Sequence, residues 1–529
     1  MSATIGGGAA AVLAAVLFAS GIAGCAGRPA AELRVLAGSE LADLRPVLDE
    51  AEKATGVRVT LDHSGTLEAA ETVAAGRADG RYDAVWLSSN RYLDLVTEAA
   101  GRLGPRTKIM NSPVVLGLRA SAARRLGWDR TPVTWADIAA AAGRGEFGYG
   151  MTDPSASNSG FAALVGVTAA LARTGSALDT ATIERVAPDL TRFFAAQRLS
   201  AGSSGYLTEA YARRATDVDG LINYESVLLA ANASGSMPEP LTLVYPTDGV
   251  VTADYPMTLL RSAGDPARDA YTRLVDHLRR PDTQRAIMQA TKRRPAVPGV
   301  ALEPGIPGQP LIELPFPGDR ASVDALLAAY FDRFRRPSRT VYVLDVSGSM
   351  DGERLNGLRA ALVGLSGADA SLVGTFRRFR GREQVTLLPF NDRPLAPTTA
   401  TVDAAAPASL DGIRAGAANL RSGGNTAVYD ALEQAYRLLE PQVAADPNRF
   451  TSIVLMTDGE SNRGDGLDEL RAFLATRPPA TRAVPVFPVL FGEAAEHDMT
   501  EVANLTGGRT FEARGGSLAG AFRDIRGYQ

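Results

Sequence analysis

Thr340-Val341-Tyr342-Val343-Leu344-Asp345-Val346-Ser347-Gly348-Ser349-Met350 decides how the C-terminal part of this chain folds. An uncharged run of β-branched and aromatic residues ends in an aspartate and two serines at alternate positions, and Glu353 to Leu365 beyond it reads as a helix. Uncharged runs separated by helices indicate parallel strands covered on both faces. Ligands in such sheets lie beyond the carboxyl ends of the strands, so chemistry is expected in the residues that follow each run.

Working outward, the same alternation recurs. Val385 to Pro389, Ile453 to Met456, Val484 to Leu490 and Thr510 to Glu512 follow the quoted strand. Leu33 to Leu36, Val57 to Leu61, Ala84 to Leu87, Val114 to Leu118 and Leu241 to Val244 precede it. Between the two series, Pro295 to Asp319 is rich in interleaved proline and glycine, which fix or free the backbone and sustain neither helices nor central strands. It predicts an extended linker or wrapping arm over 296–319, followed by a linking helix within 320–338 whose apolar residues, from Ala321 to Arg336, fall at helical spacing. No repeat of fixed period appears, and no later stretch is apolar enough to span a bilayer.

Three strand ends and turns after the linker carry oxygen donors. Asp345, Ser347 and Ser349 follow the first strand. Gly423-Gly424-Asn425-Thr426 opens a helix, and Ile453 to Met456 ends in Thr457-Asp458-Gly459. This combination resembles the metal-ion-dependent adhesion site of von Willebrand factor A (VWA) domains, over residues 339–529. The resemblance implies a doubly wound, Rossmann-like α/β fold with a divalent cation held by Asp345, Ser347, Ser349, Thr426 and Asp458. The cation is Mg²⁺ first, with Mn²⁺ or Ca²⁺ as alternatives. A hard cation takes oxygen ligands and keeps several waters, so two carboxylates and three neutral hydroxyls leave a position that an acidic group of a protein or envelope partner completes.

Enzymatic readings find little support. A phosphoryl-accepting Asp345 would want a second acid where Ser347 stands, Ser347 does not lie in G-x-S-x-G, no phosphate-binding P-loop is present, and only His63, His277 and His497 offer imidazole bases. A binding protein is expected, not an enzyme.

Residues 32–295 have a different pattern. Their first strands end in Ala37-Gly38-Ser39-Glu40, Asp62-His63-Ser64-Gly65-Thr66 and Ser88-Ser89-Asn90, placing small hydroxyl residues at helix N-termini, where polar ligands bind readily. The order resembles the type II periplasmic solute-binding proteins of ABC transporters and implies a two-lobed α/β domain. Its second lobe would span about 114–242, with one crossing at Asn111-Ser112-Pro113 and a second near Leu243-Val244-Tyr245-Pro246. Candidate solute contacts are Ser39, Thr66, Ser89, Ser112, Ser157 and Tyr224. Each hydroxyl also has a structural reading, since Ser and Thr cap helices with about 1 kcal/mol of stabilisation whether or not a ligand exists.

The 529 residues leave room for two or three domains. The near balance of 55 basic and 59 acidic residues argues against nucleic acid as a partner. The single cysteine, Cys25, excludes a disulfide within the chain. It ends the uncharged run Ile5 to Gly24, and Ile22-Ala23-Gly24-Cys25 resembles the bacterial lipobox, although no Lys or Arg precedes the run. That implies a lipoprotein signal peptide over 1–24, acylation (palmitate among the chains) at Cys25, and a cell-membrane location facing away from the cytoplasm. An uncleaved anchor helix is the alternative. The chain is thus expected to be a membrane-anchored binding protein whose first module takes a small solute or partner. The competing expectation is an ABC-transport receptor tethered by the VWA domain.

Overall fold

The computed structural model describes residues 31–214, 218–491, 496–513 and 518–528. Cys25 and the apolar run before it lie outside the described residues. Among those described, no helix is long and apolar enough to cross a membrane.

β1 (Ala31–Ala37), β2 (Val57–His63) and β3 (Ala84–Trp86) begin the first sheet in parallel, and β4 (Leu103–Lys108) forms its far edge. β5 (Met110–Arg119) then carries the chain into a second sheet with β6 (Tyr149–Thr152), β7 (Gln197–Ala201), β8 (Gly220–Tyr224), β9 (Leu241–Val244) and β10 (Thr252–Ala253). β11 (Pro256–Leu260) returns to the first sheet, antiparallel between β3 and β4, and β12 (Arg294–Pro295) pairs with β5 at the junction. The first sheet therefore runs β2-β1-β3-β11-β4.

Two expectations change here. Both sheets are mixed rather than parallel throughout, because β11 reverses direction in the first and β5 lies antiparallel to β8 and β9 in the second. The second crossing lies between Ala253 and Pro256, since β9 pairs with β5 from Leu116↔Val244 to Arg119↔Leu241 and so stays in the second lobe.

The third sheet is built from β13 (Ser338–Asp345), β14 (Gln384–Phe390), β15 (Thr398–Thr401), β16 (Phe450–Thr457), β17 (Val486–Leu490) and β18 (Phe511–Glu512), in the order β15-β14-β13-β16-β17-β18. All pairs are parallel except the edge strand β15. β13 is central and buried along its whole length. Alternate side chains serve opposite faces, Val341 and Val343 entering one core and Tyr342 and Leu344 the other. Fully burying such side chains is worth roughly 1.5–3 kcal/mol each.

The proline-rich segment wraps the first module. Val250 and Leu314 exchange backbone contacts through Val250 N–H to Ile312 O and Leu314 N–H to Val250 O, both 2.8 Å, and Leu314 joins the first module's core. The linking helix is α-helical over Arg320–Ala329 and widens into a π turn at Tyr330–Phe334, shorter than the reading to Arg336. The wider turn buries Tyr330, Phe331 and Phe334 together.

Where the linking segment meets the domain built on the third sheet stands Glu383, 1 % exposed. Its carboxylate accepts from Arg526 of the C-terminal helix (2.6 and 2.8 Å), from Arg335 of the linking segment and from the Arg380 backbone N–H (3.0 Å). Burial alone would raise its pKa, but Arg526 and Arg335 hold it below the usual glutamate value of 4.5. A lowered carboxylate pKa gives stability that is present above 4.5 and lost as pH falls through the folded-state value. Removing one partner of a buried ion pair costs about 3–5 kcal/mol. Glu383→Gln should lower the urea-unfolding free energy at pH 7 by about that much and flatten the acid limb of the wild-type stability curve, as measured by denaturation at stepped pH.

Candidate functional site

β13 and β16 lie in register so that Leu344 faces Met456, which sets Asp345 beside Thr457 and Asp458 at adjacent strand ends. Asp345 is fully buried. Its Oδ1 accepts from the Ser347 backbone N–H (2.8 Å) and its Oδ2 from the Thr457 hydroxyl (2.7 Å). Ser347 Oγ lies 3.0 Å from Ser349 Oγ, and Ser349 donates to Asp458 Oδ1 (2.8 Å). The Thr426 loop is held alongside by Gly423 N–H to Val346 O (2.9 Å) and Gly348 N–H to Gly424 O (3.0 Å). Gly424 has φ +85°, and a Cβ there would stand 2.4 Å from Asp392 Oδ2, so that turn requires glycine. Asn462 fixes the far side by accepting from Thr426 N–H (2.9 Å).

All five donors expected from the sequence thus belong to three segments gathered at one sheet edge. Burial raises the Asp345 pKa, and the neighbouring Asp458 charge adds to the shift, while the Ser347 and Thr457 hydrogen bonds oppose it. Among the described residues no group of three or more His, Cys, Asp or Glu side chains is placed so that it could by itself hold a metal ion. This donor set of two carboxylates and three hydroxyls suits a hard cation and offers nothing soft. The sequence reading missed Arg354, whose Nη1 donates to Asp458 Oδ2 (2.5 Å) and to Ser349 O (3.3 Å). The hint was positional, since a cation in the first turn of the helix Glu353–Val363 opposes the helix dipole.

The cleft candidates fare differently. Ser112 is fully buried and exchanges hydrogen bonds with Ser226 Oγ (3.0 Å) and N–H (3.1 Å), a junction role. Ser89 accepts from Arg91 N–H (3.3 Å), a local turn. Ser157 Oγ sits 3.2 Å from Ser159 Oγ, Thr66 is buried as the first residue of the helix Thr66–Ala74, and Ser39 is exposed. Tyr224 spans the lobes, donating to Ser88 Oγ (2.9 Å) and accepting from Asn158 (3.0 Å).

The lobes are in contact. A Cβ on Gly65 would lie 2.6 Å from Ala156 O across the cleft, and the Tyr92 and Phe161 rings meet edge to face at 5.8 Å. A strap crosses outside them. Glu313 accepts from Arg91 of the first lobe (2.7 Å) and from Thr252 N–H (3.2 Å), Phe316 packs on Phe161 at 5.7 Å, and Tyr92 donates to Asp324 (3.0 Å). The domain built on the third sheet touches both lobes, through Val373 N–H to Glu71 (3.0 Å) and Ser200 Oγ to Gly527 O (3.4 Å). Under the first lobe, Arg293 is fully buried on Asp43 (2.7 and 2.8 Å) and lies 4.8 Å from the ring of Tyr255 at the second crossing. No motif announced it.

Residues 33–290 match the family model for bacterial extracellular solute-binding proteins, and residues 340–460 match that for the von Willebrand factor type A domain. The inter-alpha-trypsin inhibitor heavy chain H4 of Sus scrofa is 31% identical over 132 residues, which are 24% of this chain and 13% of that protein, so the chain spans a small part of that relative's length. Among solved structures, the periplasmic binding protein AfuA of Actinobacillus pleuropneumoniae, with fructose-6-phosphate bound, is similar at 12% identity and a TM-score of 0.46, over 57% of this chain and 98% of that one. Iron-bound HitA of Pseudomonas aeruginosa is similar at 15% and 0.43, over 56% and 94%. The chain thus carries a domain of the extracellular solute-binding type followed by a VWA domain.

Because burial and Asp458 raise the Asp345 pKa, its charge weakens the metal-free fold at neutral pH, and protonation relieves this as pH falls toward the raised value. Asp345→Asn should therefore raise the thermal midpoint in chelator at pH 7. It should also lose any upward shift that Mg²⁺ gives the wild type, both read by scanning fluorimetry.

Proposed function

We propose that this chain is a lipid-anchored extracytoplasmic binding protein whose VWA domain captures an acidic group of a protein or envelope partner through a divalent cation. Asp345, Ser347, Ser349, Thr426 and Asp458 would hold the ion, with Mg²⁺ first and Mn²⁺ or Ca²⁺ as alternatives. The observation that carries this reading is their convergence at the ends of β13 and β16, with two buried carboxylates and neutral hydroxyls. A bound divalent ion would supply a Lewis-acidic position for a partner carboxylate. Asp345 and Asp458 supply charge, and the hydroxyls supply weak neutral ligation. Arg354 tempers the site's negative charge from outside. Cys25 would carry the lipid, two or more acyl chains being needed for durable anchoring.

The second reading, an ABC-transport receptor with the VWA domain as tether, meets a specific difficulty. A receptor of that kind opens and closes in each cycle, whereas here the strap and the VWA domain bridge both lobes. The first module would then hold a solute or partner durably and present the metal face.

Capture of a partner from envelope extract by the full chain should fall at least tenfold in chelator and in Asp458→Ala, and return when Mg²⁺ is restored to the wild type. Unchanged capture by a folded Asp458→Ala protein would defeat the proposal. A large thermal shift with one anion, amino acid or sugar, independent of chelator, would favour the receptor.

A further inference from the structure

A crevice of about 410 Å³ separates the second lobe from the VWA domain. It lies against the amino-terminal ends of β16 and β17, at the opposite edge of the third sheet from Asp345 and Asp458. Its lining holds three arginines, Arg198, Arg336 and Arg449, and no aspartate or glutamate. Two of them are fixed in place. Arg336 donates to Pro447 O (2.8 Å) and lies 5.6 Å from the Phe450 ring, and Arg449 donates to Asp446 (2.8 Å) and Arg382 O (2.6 Å). Arg198 projects from β7 into solvent and, among the described residues, makes no ion pair. The walls between these cations are apolar, with Val443, Ala483 and Phe487 on the VWA side and Leu199 and Tyr206 on the lobe side.

We propose that this crevice is a second ligand site, distinct from the cleft and from the metal centre, and that it takes a small amphipathic carboxylate. Its volume falls within the roughly 300–1,000 Å³ of small-molecule sites, which are mostly apolar with a few placed polar groups. Arg198 is the guanidinium placed to fork a planar carboxylate, and Arg336, held on backbone carbonyls, adds positive charge beside it, while Arg449 is already paired with Asp446. An inorganic ion would leave the Val443 and Phe487 walls uncovered, and a neutral hydrocarbon would desolvate the arginines without a counter-charge. An aryl or short alkyl acid satisfies both. Because the two modules each supply a wall, the ligand binds the docked arrangement and stabilises it.

The test is calorimetric titration of the full chain with phenylacetate in excess chelator, so that no metal offers the carboxylate another site, with benzylamine as the cationic control. Arg198→Glu reverses the charge of an exposed side chain, and Ala483→Trp fills the crevice from an exposed position. Saturable binding of phenylacetate to the wild type is expected, at least tenfold weaker in Arg198→Glu and absent in Ala483→Trp, with benzylamine silent. No saturable binding to the wild type, equal affinity in both folded variants, or equal binding of benzylamine would each overturn the proposal.

Discussion

The buried carboxylate of Glu383 is the joint on which the two modules turn. A charge 1 % exposed survives only if its neighbours neutralise it, and here they come from distant parts of the chain: Arg335 from the linking segment and Arg526 from the last helix. Arg380, whose backbone N–H completes the set, binds Asp332 of the same π turn through its side chain (2.5 Å). Folding of the VWA domain, placement of the linking helix and docking of the C-terminus are thus tied through one group. The consequence is mechanical. A tether of loose residues would let the modules tumble independently, whereas this junction fixes them.

Fixing them has two effects. The carboxyl ends of β13 and β16 keep Asp345 and Asp458 at the end of the third sheet opposite the crevice that the second lobe lines. The last helix and the helix Leu372–Arg377 come to rest on the two lobes instead, with the Gly527 carbonyl on Ser200 and Val373 on Glu71. Together with the Arg91–Glu313 and Tyr92–Asp324 contacts, they hold closed a cleft that in a transport receptor has to open.

The cluster of oxygen donors proposed to hold a cation was legible in outline, because Asp345, Ser347, Ser349 and Asp458 lie directly after strands whose apolar runs are unmistakable and Thr426 lies in a local glycine turn. Arg354 was legible only as an oddity of helix polarity. The cleft was legible in outline, since helix N-termini after strands are a local pattern, but its residues were not. Ser89 and Ser112 proved to bond within their own surroundings, and Arg293 was invisible because its partner Asp43 lies far away in sequence. Short strands such as Gln197–Ala201 and Gly220–Tyr224 escaped notice because their glycine, glutamine and serine are made strand-like by pairing rather than by propensity. The proline-rich arm was rightly extended, but nothing in its composition told where Glu313 and Phe316 would land.

The central claim, that two carboxylates and three hydroxyls at the end of β13 and β16 form a divalent-cation centre, is tested most directly by equilibrium binding of Mn²⁺ to the full chain, followed through the electron paramagnetic resonance of the free ion. The account predicts saturable binding of a single Mn²⁺ per chain, displaced by Mg²⁺ and lost in a folded Asp345→Ala/Asp458→Ala variant. Absence of saturable Mn²⁺ binding by the wild type, or undiminished binding by that variant, would contradict it.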